Sequence, residues 1–324
     1  MMEGMLHNRS NDKRLVAIVG PTASGKTAAA HELARRVGAE IVSADSMAIY
    51  RGMDIGTAKP SPEERLEVHY HMVDVVDPNE PFTVADYQER AVEVVEDIIC
   101  RGRLPIVAGG TGLYVRAVID GLNIPSAGID SELRARLKRE ADEKGSEWLH
   151  KRLAEVDPVT AERLHPNDIK RIIRALEVYE QSGRPMSEIV EETRPKAPRY
   201  PGAVLYGLTM DREKLYRRIE ERVDEQIRRG LVEEVRRLLD SGYDVDLPAM
   251  QGLGYKEIAA CLKGEYDLNS AVETLKRSTR RFAKRQYTWF RADKRIRWID
   301  VNDITPAKVA GIIETELREA GVFE

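Results

Sequence analysis

Only two cysteines, Cys100 and Cys261, occur in 324 residues, too few for a disulfide framework or a cysteine-rich zinc site. Both are expected to be reduced packing residues. Aromatic residues make up 6% of the chain and charged ones 33%, a balance that points to a soluble protein rich in solvated helices. No run approaches the roughly 18 apolar residues of a membrane-spanning helix. The opening stretch MMEGMLHNRSNDKR is polar and has no apolar signal segment, so a frayed N-terminus and a cytoplasmic location are expected. A net charge of −4 leaves only local basic patches to attract nucleic acid. The histidines, His69-x-His71 included, show no spacing that brings a third metal ligand, and that pair reads as structural. The length suits one large domain or two modest ones.

What is present begins with residues 14–27, RLVAIVGPTASGKT. A short apolar run breaks into Gly20-Pro21-Thr22-Ala23-Ser24-Gly25-Lys26-Thr27, and an Ala-rich helical segment follows. That is the P-loop order of strand, loop and helix. Backbone N–H groups can wrap a pyrophosphate only where no Cβ obstructs the turn, which explains Gly20 and Gly25. The helix N-terminus adds partial positive charge, Lys26 a full one, and the Thr27 hydroxyl can hold Mg²⁺. The motif alone licenses binding of a di- or triphosphate with a metal.

Strand patterns are expected at residues 15–19, 40–43, 71–76, 104–108, 203–210 and 295–299. A helix capped by Thr83 or Asp86 should run to Gly102, and GGTG at 109–112 opens another. This alternation predicts an α/β fold: a P-loop NTPase-like parallel sheet with helices on both faces. Residues 131–181 break the pattern with charged helix, and 184–201 read as a Pro- and charge-rich linker. The middle of the chain is therefore expected to be a helical insertion domain, residues 122–200, between core segments 1–121 and 201–324. Further helices are expected at about 212–229, 231–241, 254–263 and 270–291, with a short one from Pro306.

Asp45 stands just beyond the second strand, where ligands collect in open parallel sheets. It suits either indirect metal binding or removal of a proton beside the pyrophosphate. No apolar strand ends in the metal-holding Asp of a motor or switch, which weakens an ATPase reading. Arg222 shares a helix with Arg217, Arg218, Arg228 and Arg229, and a guanidinium fork suits a pyrophosphate. Residues 276–297 hold ten Lys or Arg against one acid, with aromatics interleaved. Helical spacing puts Phe282, Gln286 and Trp289 on one side and Arg277, Arg281 and Lys284 on another, which points to a phosphate backbone. A smaller basic group, Lys170, Arg171 and Arg174, opens a helix behind Asn167 or Asp168.

Together GPTASGKT, DSMAIYRGMDIGTAKP, GGTGLY, RALEVYE, MQGLGYKE and TRRFAKRQYTWFR resemble the tRNA dimethylallyltransferases, also called tRNA isopentenyltransferases, over nearly the whole chain. The resemblance implies that the P-loop, Gly20 to Thr27, cradles the diphosphate of dimethylallyl diphosphate rather than ATP. It implies catalytic roles for Asp45 as general base, Thr22 and Lys26 on the diphosphate, Arg222 as its clamp and Thr27 as the Mg²⁺ ligand. Asp45, Ser46, Met47, Ala48, Thr111, Arg134, Lys170, Arg171, Ile172, Ile173 and Arg174 match positions that meet tRNA. The insertion would grip the anticodon stem-loop, with the target adenine turned out of its stack. The zinc finger of eukaryotic members and a transit peptide are lacking, so a bacterial-type cytoplasmic monomer with no membrane partner is expected. Two other readings remain open: a P-loop kinase or prenyltransferase acting on a small molecule or free adenine nucleotide, and an RNA-binding protein with a P-loop switch. Neither small-molecule enzyme needs the basic cluster.

Overall fold

The computed structural model describes residues 14–124, 130–192 and 195–322, so the expected frayed N-terminus lies outside the described residues. The chain divides into two compact units, Met1–Ile119 with Arg199–Glu324, and Asp120–Pro198.

In the first unit, β1 (Val16–Val19), β2 (Glu40–Ser43), β3 (Tyr70–His71), β4 (Pro105–Gly109), β5 (Val204–Thr209) and β6 (Arg297–Asp300) form one parallel sheet. Its order is β3-β2-β4-β1-β5-β6, with β1 inside. Side chains alternate across a strand, and β1 shows the result. Val16 and Ile18 pack with Leu33 of α1 (Lys26–Val37) on one face. Leu15, Ala17 and Val19 meet Tyr87 and Val95 of α3 (Val84–Cys100) on the other, α2 (Pro62–Glu67) having come between. The expected α/β class with both faces covered is the one observed. Thr83 and Asp86 act together at the start of α3, each side chain accepting from the other's backbone N–H at 3.2 and 2.7 Å. After β4 come α4 (Gly112–Arg116) and a π-helical turn over Ala117–Gly121 that sequence patterning does not reveal.

The second unit is all helix: α5 (Ser131–Lys144), α6 (Ser146–Val156), α7 (Pro158–Arg163), α8 (Ile169–Ser182) and α9 (Met186–Glu192). Leu137, Leu149, Leu153, Ile172 and Leu176 form its core. Glu177 is buried within it, accepting from Arg134 through two bonds of 2.8 Å, from Arg174 at 2.6 Å and from the Asp130 N–H at 3.0 Å. Burial alone would raise this carboxyl, but the two guanidinium groups outweigh it and hold its pKa below the ordinary value.

Back in the first unit, α10 (Arg212–Arg228), α11 (Leu231–Asp240), α12 (Tyr255–Leu262), α13 (Leu268–Arg291) and α14 (Pro306–Glu319) follow. Helices α10 to α13 share a core with Ile49, Tyr50 and Met53.

Three local expectations are corrected. The strand expected over 71–76 stops at His71, because Met72 and Asp74 take left-handed φ values of 59° and 57°. Asp74 instead accepts from Lys59 at 2.5 Å and Arg65 at 2.7 Å, so charge pairing and not sheet pairing shapes this stretch. The linker expected over 184–201 contains α9, pinned by Ser187 to Asp157. Cys100 is exposed at the end of α3 and is not a packing residue.

Candidate active site

The loops after β1, β2 and β4 all leave the carboxyl edge of the sheet and meet there. Gly25 caps α1 with φ 88°, a conformation that a Cβ disfavours. Gly109 matters for a different reason: a Cβ there would overlap the Ala44 carbonyl. The loops are then tied by polar bonds. Thr111 donates its N–H to Ala44 O at 3.0 Å and accepts the Ser46 N–H on its hydroxyl at 3.1 Å. Asp45 accepts from the Met47 N–H at 2.9 Å. Gly109 therefore serves close backbone approach, which fixes the Asp45 loop against β4, whereas Gly110 and Gly112 leave room for the side chains of Gln286 and Trp289.

Two adjoining cavities open at this edge. The smaller, about 80 Å³, is lined by Thr22, Lys26, Thr27, Asp45, Thr57 and Arg222 among others. The larger, about 300 Å³, includes Ser46, Met47, Thr111, Gln251, Lys256 and Arg285. Thr22, Asp45, Thr57, Arg222, Phe282 and Gln286 border both. One carboxylate thus faces a cation-lined niche on one side and a roomier chamber on the other.

The niche is built for an anion. Lys26 donates to Pro21 O at 3.0 Å and Arg222 to Thr57 O at 3.4 Å, and neither makes an ion pair within the described residues. Burial, then the neighbouring Arg222, lowers the Lys26 pKa to about 8 against a pull upward from Asp45. Burial likewise lowers Arg222 from its ordinary value, with Asp45 pulling it up. A bound diphosphate would relieve both cations at once. Because Lys26 is depressed from 10.5, the unfolded chain holds a proton between about pH 8 and 10.5 that the folded chain releases. This group alone therefore makes folding more favourable as pH rises through that window. Anion binding runs the opposite way. The affinity for an alkyl diphosphate, followed by calorimetry, should be flat from about pH 7, where the ligand is ionised, to the Lys26 pKa and weaken about tenfold per unit well above it. A flat profile to pH 10 would remove Lys26 from the contact.

Of the arginines expected on this helix, Arg217, Arg218 and Arg228 of α10 and Arg229 just after it face solvent, and only half-buried Arg222 reaches the cavities. Three residues that sequence reasoning gave no role hold the walls. Gln286 of α13 accepts the Thr22 N–H at 2.8 Å and donates to Gly110 O at 2.9 Å, joining the P-loop to the loop after β4. Gln226 donates to Ile55 O and Gly56 O at 2.9 and 2.8 Å. Buried Glu234 accepts the N–H groups of Asp54, Ile55 and Gly56 at 2.9–3.1 Å and the Tyr255 hydroxyl at 2.7 Å. Only Gln286 left a trace in the sequence, by sharing a helix side with Phe282 and Trp289.

The basic cluster splits by partner. Lys276 pairs with Asp224, Arg280 with Glu220, Arg295 with Asp293 and Arg297 with Glu316. Arg277, Arg281, Lys284, Arg285 and Arg291 are exposed and make no ion pair among the described residues. In the helical unit Lys170 and Arg171 are exposed, Arg171 pairing with Asp168 at 3.3 Å, whereas Arg134 and Arg174 are engaged by Glu177. Ile172 and Ile173, expected to meet RNA, are 0% and 8% exposed in the helical core, so their side chains are corrected to packing residues. His71 bonds Glu40 at 2.7 Å, a structural partner.

The IPP transferase family model matches residues 48–293. The chain belongs to the IPP transferase family. A tRNA dimethylallyltransferase of Desulforudis audaxviator is 55% identical over 307 residues, covering 93% of this chain and 98% of the relative. Its counterpart in Acetivibrio thermocellus is 49% identical over 310 residues, 95% and 99% of the two chains. Among solved structures, the tRNA isopentenylpyrophosphate transferase of Bacillus halodurans is 42% identical with a TM-score of 0.68, covering 95% of this chain and 97% of that one. A eukaryotic dimethylallyltransferase described as acting on tRNA is 26% identical with a TM-score of 0.78, covering 95% and 79%. No helix among the described residues is long and apolar enough to cross a membrane.

Proposed function

We propose that this member of the family transfers a dimethylallyl group from dimethylallyl diphosphate to the exocyclic amine of the adenine beside the third anticodon base of tRNA, releasing diphosphate. The observation that carries this reading is Asp45 on the shared wall of an anion niche and a chamber of about 300 Å³, roomy enough for an extruded base. The diphosphate lies in the niche on the P-loop N–H groups, Lys26 and Arg222. The adenine enters the chamber past Ser46, Met47 and Thr111.

An allylic diphosphate needs charge neutralisation on its leaving group and an aligned nucleophile. As the amine nitrogen bonds the allylic carbon, the carbon–oxygen bond breaks, the electron pair leaves with diphosphate, and the amine proton passes to Asp45. Lys26 and Arg222 are already desolvated and receive the growing negative charge with little reorganisation. The residues fit a Mg²⁺ ion. Thr27 is exposed and lines the niche with Asp45, and no cluster of three acidic, His or Cys ligands exists among the described residues. That donor set is what Mg²⁺ accepts when substrate phosphates and waters complete its shell. Thr27 would hold the ion, which when bound would add positive charge at the departing diphosphate.

RNA is held by the exposed unpaired cations of α13 and by Lys170 and Arg171 of the helical unit, with the enzyme working as a cytoplasmic monomer. Neutralising Arg281 and Lys284 together should weaken RNA binding and lower the slope of log affinity against log salt by about one to two units. An unchanged slope would take that face out of the contact. The function itself is tested by nucleoside analysis of unmodified tRNA after incubation with donor and Mg²⁺, where prenylated adenosine is expected. Prenylated AMP or ATP instead of RNA would transfer the assignment to a small-molecule prenyltransferase.

A further inference from the structure

Trp289 is an oddity of placement. It is one of six large apolar side chains exposed among the described residues, at 40%, and its indole N–H has no partner among them. Covering that exposed aromatic face with a ligand would be favourable. Its position is set by α13. One turn earlier lie Arg285, which lines the larger cavity, and Gln286, which bonds Thr22 of the P-loop and Gly110. The indole itself lies so close to Gly112 that a Cβ there would overlap its ring. Gly112 follows Thr111, whose hydroxyl is bonded to Ser46 beside Asp45. Leu113, next in the chain, is also exposed, at 41%. An open leucine on α4 and an open indole on α13 therefore flank the loop that carries the Asp45 contact, and α13 also bears five exposed cations without ion pairs.

We propose that Trp289 is the stacking platform for a nucleobase adjacent to the target adenine. This rests on the reading of the chain as an RNA prenyltransferase. When the adenine is extruded into the chamber its neighbours lose a stacking partner, and an exposed ring beside the chamber mouth replaces it. The π-face accepts any base, the cations of α13 take the adjoining phosphates, and Leu113 contributes apolar contact. The platform lowers the cost of extrusion without touching the reacting atoms.

The experiment measures affinity for an unmodified anticodon stem-loop, and separately for an alkyl diphosphate, with wild type, Trp289→Ala and Trp289→Phe. The alanine variant should lose roughly 5- to 100-fold in RNA affinity, and phenylalanine should keep most of it. Diphosphate affinity should be unchanged in both. RNA lacking the base on either side of the target adenine supplies the second arm. One of these abasic RNAs should bind wild type as weakly as intact RNA binds the alanine variant, with no further loss when the two changes are combined. Equal RNA affinity for wild type and alanine variant, a phenylalanine variant as weak as alanine, additive losses, or a parallel fall in diphosphate affinity would each overturn the platform. The abasic arm with wild type remains decisive if a variant fails to fold. Failure of the enzymatic reading itself would look different: wild type would prenylate no RNA at all.

Discussion

Replacing Asp45 with alanine is expected to lower turnover by about a hundredfold or more while RNA affinity stays near wild type. A hundredfold corresponds to about 2.7 kcal/mol of barrier. The exocyclic amine of adenine is a poor nucleophile, and the carboxylate at the wall of both cavities is the group positioned to take its proton. Asp45 also accepts the Met47 N–H at 2.9 Å, so alanine removes a loop contact as well as a base. Asparagine separates the two effects, because its carbonyl keeps the bond and its amide cannot accept the proton. Asn and Ala variants equally slow would place the loss in proton transfer. An asparagine variant close to wild type would leave Asp45 a loop anchor, and a collapse of RNA binding matching the loss of turnover would make it a binding residue.

Glu234→Ala should be the most destabilising single change near the site. Three backbone N–H groups from Asp54, Ile55 and Gly56 and the Tyr255 hydroxyl converge on this carboxylate. Truncation leaves four donors without an acceptor, each costing about 1–3 kcal/mol where water cannot replace it. A loss of about 4 kcal/mol is expected, or roughly 6 °C in the thermal midpoint. The damage should also reach the niche. The 54–56 segment leads into Thr57, whose carbonyl holds Arg222, so diphosphate affinity should fall together with stability. A loss below about 1 kcal/mol by denaturant titration would mean that the loop finds other acceptors.

The fold was legible because its main signals are local. The strand, glycine loop and helix at residues 15–37 and the capping pair Thr83 and Asp86 are each read from neighbours in sequence. Of the candidate site, the P-loop and Asp45, which line one cavity, can be read from local sequence, and the rest less so. Gln286 bonds Thr22 across 264 residues and Glu234 grips Ile55 across 179, and no periodicity announces such partners. The same holds for failures. Residues 71–76 look like a strand in isolation, but Lys59 and Arg65 draw Asp74 into a left-handed turn. Lys170 and Arg171 separate from Ile172 and Ile173 only once α8 shows which face is its core.

The most direct test of the account puts two labels in one tube: dimethylallyl diphosphate labelled in its carbon chain and ATP labelled in its terminal phosphoryl, with Mg²⁺ and unmodified tRNA. The carbon label should enter the RNA at the adenine beside the third anticodon base, with diphosphate released, while the phosphorus label stays in ATP. Transfer of the phosphorus label to any acceptor, with no carbon in the RNA, would contradict it.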